Sequence, residues 1–130
     1  AGELGIAERV EFAGQLPGEE ALARTRRATL FAMPSTDEAF GVAYVEAMAG
    51  WLPAIAAEGE PGPREILSAG GGLTLVPPGD PAALATAIDD LLGDARALRE
   101  AGDRARATVE RAFSWAACGA ATVAAYEAAL

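Results

Sequence analysis

Four short, nearly unbroken apolar runs mark the first eighty residues: VEFAG at 10–14, TLFAMPS at 29–35, PAIAA at 53–57 and LTLVPPGD at 73–80. Each alternates too weakly for a half-exposed strand and fits a buried strand of a parallel sheet, covered on both faces. Between and after them the apolar positions recur at helical spacing. Residues 19–28 open after Gly18 with two acids in the first turn, favourable to the helix dipole, and residues 40–50 form a second helix. The segment 81–93 carries the clearest signals, with Asp80 as N-cap, Pro81 at the first helical position and Leu84, Ala87, Ile88, Leu91 and Leu92 along one face. Asp94 caps the next helix, in which Leu98, Ala101, Ala105, Val109 and Ala112 keep the stripe, and FSW opens a last alanine-rich helix over 115–130 with Val123 and Tyr126 as its larger apolar residues. Strands alternating with helices predict an α/β fold built on a parallel sheet. GEPGPRE at 59–65 has the composition of a ligand-facing loop.

Length and composition narrow this picture. The 130 residues suit one domain with a real core, and no apolar run reaches the roughly 18 residues of a membrane-spanning helix. AGELGIAERV lacks the basic and apolar regions of a signal peptide and an initiating Met, so a cytoplasmic piece of something longer is expected. The single cysteine, Cys118, has no internal disulfide partner, and the lack of histidine excludes a Cys/His zinc site; no metal or other cofactor is expected. The net charge of −9, with ten arginines and no lysine, repels phosphate backbones and argues against nucleic acid as a partner. Without histidine or lysine, any chemistry rests on carboxylates, arginines, hydroxyls and backbone amides.

One stretch gathers those groups. In EAFGVAYVEAMAG, residues 38–50, Glu38 and Glu46 flank a Phe40-Gly41-Val42 step where a strand gives way to a helix. In parallel α/β sheets ligands bind beyond the carboxyl ends of the strands, so the turns after TLFAM and PAIAA share one mouth, with Glu38, Phe40-Gly41 and GPRE on its rim. A helix start with Gly41 permits close backbone approach and offers free N–H donors to a phosphate. Carboxylates accept hydrogen bonds from sugar hydroxyls, so the pair suggests two sugars joined by phosphate. Two other readings stand beside it. A glycosidase-like acid/base pair needs carboxyl groups roughly 5 to 9.5 Å apart, whereas eight helical steps would span about 12 Å. Spacing alone also fits two ordinary, solvated helix carboxylates.

PSTDEAFGVAYVEAMA, with VEFAGQLP upstream, PGPREIL and GLTLVPPGDPAALATAIDDLL downstream and FSW near the end, resembles the C-terminal domain of GT-B fold retaining glycosyltransferases, the "group 1" family or family four. The resemblance covers nearly the whole chain in order. It implies a Rossmann-like parallel sheet with helices on both faces, forming the donor-binding domain of an enzyme that transfers a sugar from a nucleoside diphosphate sugar to an acceptor. By position, Glu38, the candidate catalytic carboxylate, would bond hydroxyls of the transferred sugar. The backbone of Phe40, Gly41 and Val42 would approach that sugar and the diphosphate, and Glu46 would hold the ribose hydroxyls.

Departures from the family pattern carry expectations of their own. The upstream strands, Gly-rich turn and Arg/Lys pair that neutralise the diphosphate do not occur in the sequence, and neither does the N-terminal acceptor-binding domain. Residues 1–130 are therefore expected to be a single incomplete domain, weak in donor binding and inactive alone, with any peripheral membrane contact belonging to the missing domain. The alternative is a non-catalytic, degenerate nucleotide-binding or protein-interaction domain. Arg64 and Glu65 occupy the loop that reads Gly-Gly-x-Pro-Glu in relatives and are candidate phosphate or sugar contacts. Trp51 stands where glycine is frequent, so Gly50 is expected to supply the left-handed helix cap. Trp115 is expected to anchor the last helix in the core, and Met48 and Cys118 to be packing residues.

Overall fold

The computed structural model describes residues 1–129. Three strands, β1 (Phe31–Met33), β2 (Ala54–Ala57) and β3 (Leu73–Val76), form one sheet in the order β1-β2-β3. Both pairings are parallel, Phe31 opposite Ala54 and Ala54 opposite Leu73. Parallel neighbours need a crossover, and each is made by a helix, α2 (Val42–Ala49) between β1 and β2 and α3 (Pro61–Ala69) between β2 and β3. α1 (Gly18–Thr25) precedes the sheet; α4 (Pro81–Gly93), α5 (Ala95–Ala112) and α6 (Trp115–Ala128) follow it. The α/β reading therefore holds, with three strands where the apolar runs predict four.

The central strand explains why its sequence is a plain apolar run. All four residues of β2 are fully buried, so both faces are covered and no polar position is tolerated. On one face Ala54, Ala56 and Leu73 meet Tyr44 and Met48 of α2, Ile66 of α3, and Ala105 and Val109 of α5. Burying a side chain such as Met48 or Ile66 contributes about 1.5 to 3 kcal/mol each. The small residues Ala54, Ala56 and Ala105 are what allow the helices to approach this closely. The helix starts after β3 form as the sequence implies: Asp80 accepts from the N–H groups of Ala82 and Ala83, and Asp94 from those of Arg96 and Ala97.

Several expectations fail for identifiable reasons. VEFAG is no strand: residues 10–14 join no ladder among the described residues and Phe12 is 82% exposed. A strand exists only through its ladder, and no strand among the described residues lies beside this run. The segment expected as a loop at 59–65 is mostly helix, because α3 begins at Pro61; Pro61 and Pro63 sit in the first turn, where a missing N–H costs nothing. Residues 40 and 41 lie outside α2, and Gly41 is its left-handed N-cap. Gly50 has φ −92°, so it is not the left-handed cap; Trp51 takes that conformation itself at φ 61°. The Arg106 guanidinium stacks 4.6 Å over the Trp51 ring and donates to the Ala49 carbonyl at 2.6 Å, which offsets the strain. Trp115 is 92% exposed and no residue of α6 is buried, so the expected core anchor is absent; Cys118 is exposed too, while Met48 is a packing residue as expected.

Tyr44 ties α2 to the sheet beneath the candidate site. Its ring meets Phe31 edge-on, and its hydroxyl donates to the Met33 carbonyl. Burial is the main cause that pushes the phenol above its ordinary range; the adjacent Ser35 hydroxyl opposes it, and the Glu38 and Glu60 carboxylates add to it. The native state thus keeps this proton to higher pH than the unfolded chain, so Tyr44 contributes stability below about pH 10 that is lost as pH rises beyond it. Tyr44→Phe is expected to lower stability by about 1 to 3 kcal/mol near neutrality and to flatten the alkaline decline. Urea unfolding at about pH 8 and about pH 11 measures both, and an unchanged alkaline slope would exclude Tyr44 as its source.

Candidate functional site

The site residues gather at the carboxyl ends of β1 and β2, where the connections to α2 and α3 begin. From Met33 the chain runs through Pro34 and Ser35 to Asp37, whose φ of 62° is left-handed for a non-glycine residue, and then to half-buried Glu38. Phe40 follows, and Gly41 at φ 91° turns the backbone into α2. A Cβ at Gly41 would collide with the Tyr44 ring, so the turn requires glycine for its conformation and for space.

This turn leaves donors unspent. The N–H groups of Phe40, Gly41, Val42 and Ala43 find no hydrogen-bond acceptor among the described residues; the first helical donor that does is Tyr44, to the Gly41 carbonyl at 2.9 Å. Several successive free amides at the positive end of a helix form an anion-accepting concavity. Ser35 places a buried hydroxyl beside the Tyr44 phenol under this turn.

The two glutamates stand differently. Glu38 lies in the loop, so only the four steps from Val42 to Glu46 are helical and the 12 Å separation does not apply. Glu46 is exposed, one turn after Val42 and on the same side of α2. Phe40, Val42 and Glu65 line a cleft of about 400 Å³ with Val45 and with Phe113 and Trp115 of the α5–α6 junction. Phe40 and Phe113 meet edge-to-face at 5.8 Å between centroids, which holds the inner wall. The structure therefore brings Phe40, Val42 and Glu65 to one cleft, with Glu38 and Gly41 in the loop that leads into α2 and Glu46 on the exposed side of that helix. Arg64, in the first turn of α3, is exposed and makes no ion pair among the described residues.

Sequence reasoning missed three contributors. Glu60 Oε2 accepts from the Glu38 N–H at 2.8 Å. Gly62 is buried with its Cβ position against the backbone of Phe40, so no other residue lets α3 approach the loop as closely. Tyr44 anchors α2 to the end of β1 through the Met33 carbonyl. A signal for the first was present: Glu is a poor N-cap, yet it stands directly before Pro61. Among the described residues no cluster of three His, Cys, Asp or Glu is placed to hold a metal ion, and no helix is long and apolar enough to cross a membrane.

This geometry has counterparts among known proteins. Residues 1–108 match the family described as "Glycosyl transferases group 1". The chain is 36% identical, over 98% of its length, to an MMP alpha-(1->4)-mannosyltransferase of Mycolicibacterium hassiacum, of which it covers 31%. It is 39% identical over its full length to a D-inositol 3-phosphate glycosyltransferase of Nocardia farcinica, of which it covers 28%. The structure superposes on a sucrose-phosphate synthase from Thermosynechococcus elongatus with a TM-score of 0.84 and 32% identity, covering 97% of this chain and 31% of that one. The chain thus spans about a third of the length of the relatives it matches. Both the Rossmann-like fold and the family resemblance are borne out, and this chain belongs to the group 1 glycosyl transferases of GT-B architecture.

Proposed function

We propose that this chain binds the nucleotide-sugar donor of a retaining glycosyltransferase, and that the activity belongs to the protein that carries it. The run of unpaired N–H groups at Phe40, Gly41, Val42 and Ala43 is the observation on which this reading rests. They would receive the diphosphate and the adjoining sugar oxygens, stabilising negative charge as the nucleoside diphosphate departs. Glu38, beside them in the loop, accepts hydrogen bonds from the transferred sugar. Glu46, one turn up α2, accepts them from the ribose. Catalysis on this reading is positioning and leaving-group stabilisation, with no side-chain acid or base required.

Charge limits what the chain does by itself. Asp37, Glu38, Glu46, Glu58, Glu60 and Glu65 cluster around the mouth in sequence, with Arg64 the single arginine among them. Such a rim repels a diphosphate unless further cations face it, so donor affinity of the 130 residues alone is expected to be weak. The relatives' names point to mannosyl transfer, in one case dependent on GDP-mannose, which makes GDP-mannose the first of the nucleoside diphosphate sugars to try as donors.

The test is transfer from those donors by the protein as the cell makes it. A hydrogen bond to a charged group is worth about 1.5 to 3 kcal/mol, so Glu38→Ala and Glu46→Ala are each expected to lower kcat/KM about ten- to a hundredfold. Glu46→Ala should weaken competition by the free nucleoside diphosphate, whereas Glu38→Ala should not, because only the former contacts the ribose. Wild-type kinetics in both variants would overturn the proposal.

A further inference from the structure

We infer that Glu60 is a positioning residue for Glu38: its carboxylate, reaching from the start of α3, fixes the peptide that presents Glu38 to the donor sugar. The inference deepens the donor-site reading and rests on it for the role of Glu38, while the contact itself stands independently.

Glu60 occupies the N-cap position of α3 with extended backbone, φ −77° and ψ 136°, where a shorter side chain would accept from the first-turn amides. Its side chain makes no such bond. Instead Oε2 accepts from the N–H of Glu38, 22 residues earlier, at 2.8 Å in a partly buried setting. A bond from an N–H to an ionised acceptor in such a place is among the stronger ones available to a backbone amide. The residue before it, Asp37, is held left-handed at φ 62°. Non-glycine residues keep that conformation only where their surroundings impose it, and no other hydrogen bond reaches the peptide nitrogens of 36–40 among the described residues. Glu60 therefore supplies the one hydrogen bond that fixes the peptide nitrogen of Glu38 among the described residues, alongside the packing of Phe40 on Gly62 and Phe113. Because the bond uses the main chain of Glu38, it leaves that residue's own carboxylate free for a ligand.

The chemistry separates Glu60 from a merely structural residue. A glutamine keeps an acceptor oxygen at the same reach, and an alanine removes it. In the full protein with GDP-mannose, or whichever nucleoside diphosphate sugar proves the active donor, Glu60→Ala is expected to lower kcat about ten- to thirtyfold with a smaller change in KM. Glu60→Gln should recover most of the loss. In parallel, amide proton shifts of the full protein labelled with ¹⁵N report the bond directly. The Glu38 resonance should lie downfield in the wild type. It should stay downfield in Glu60→Gln and move upfield in Glu60→Ala. An unchanged Glu38 resonance in Glu60→Ala overturns the contact, and with it the inference. A shifted resonance with undiminished kcat overturns the positioning role while the contact survives. If Glu38→Ala itself transfers sugar normally, it is the donor-site reading that fails, a result the amide shifts cannot produce.

Discussion

Donor-dependent sugar transfer is expected to fall by more than about a hundredfold in Gly62→Ala, a substitution that adds one methyl group and touches no ligand. The methyl group would collide with the main chain of Phe40, including its carbonyl oxygen. A side chain could rotate away from such an intruder; a backbone cannot. α3 is not free to retreat either, since Pro63 and Ile66 beside Gly62 are fully buried against the core. The Phe40-Gly41 step must move instead, and it carries the first two of the unpaired amides at the head of α2. Displacement of about 1 Å at a positioning group costs on the order of a hundredfold in rate, and overpacking costs about 1 to 3 kcal/mol of stability. Gly93→Ala is the control, because nothing lies within 4 Å of its Cβ position. Steady-state kinetics beside a thermal melt decide the matter: a lowered melting temperature with normal transfer would mean that the Phe40-Gly41 backbone does not contact the donor.

What the sequence disclosed and what it concealed divide along the range of the interactions. The caps at Asp80 and Asp94 were legible because each bond spans only two or three residues. β2 was legible because a wholly buried strand excludes polar residues. The strand-to-helix turn at Glu38, Phe40, Gly41 and Val42 was legible because these residues are neighbours in sequence. Residues 10–14 read as a strand on composition, but pairing decides strand formation and composition does not encode the partner. Residues 59–65 read as a loop because proline and glycine mark turns; the same residues suit a helical first turn, and the burial of Gly62 and Pro63 selects it. Trp115 looked like an anchor because large aromatics usually are, yet no helix or strand lies over it. Glu60 and Gly62 were invisible for one reason. Each is defined by what it meets some twenty residues away, and a contact of that kind leaves no periodicity behind.

The largest loss of stability is expected from Gly72→Ala, at roughly 2 to 5 kcal/mol. Two independent penalties meet there. Gly72 has φ 97°, which costs an alanine about 1 to 2 kcal/mol whatever the space around it. Its Cβ position is also occupied by Ala105, whose Cα, nitrogen and Cβ all crowd it, adding an overpacking cost of about 1 to 3 kcal/mol. Ala105 is fully buried in α5 against the sheet, and the Gly72 carbonyl accepts from the Ala54 N–H at 2.9 Å, so neither side yields without loosening β2 from β3 or α5 from both. Against the roughly 5 to 15 kcal/mol that holds a domain of this size together, the loss is large enough to unfold a marginal variant at physiological temperature. Urea denaturation measures it, and the double variant Gly72→Ala, Ala105→Gly shows which penalty dominates. Removing the Ala105 Cβ leaves its nitrogen and Cα in the way, so less than half of the loss should return. Full recovery would mean that side-chain crowding alone was at fault and that the left-handed backbone of Gly72 is not required for α5 to close over the sheet.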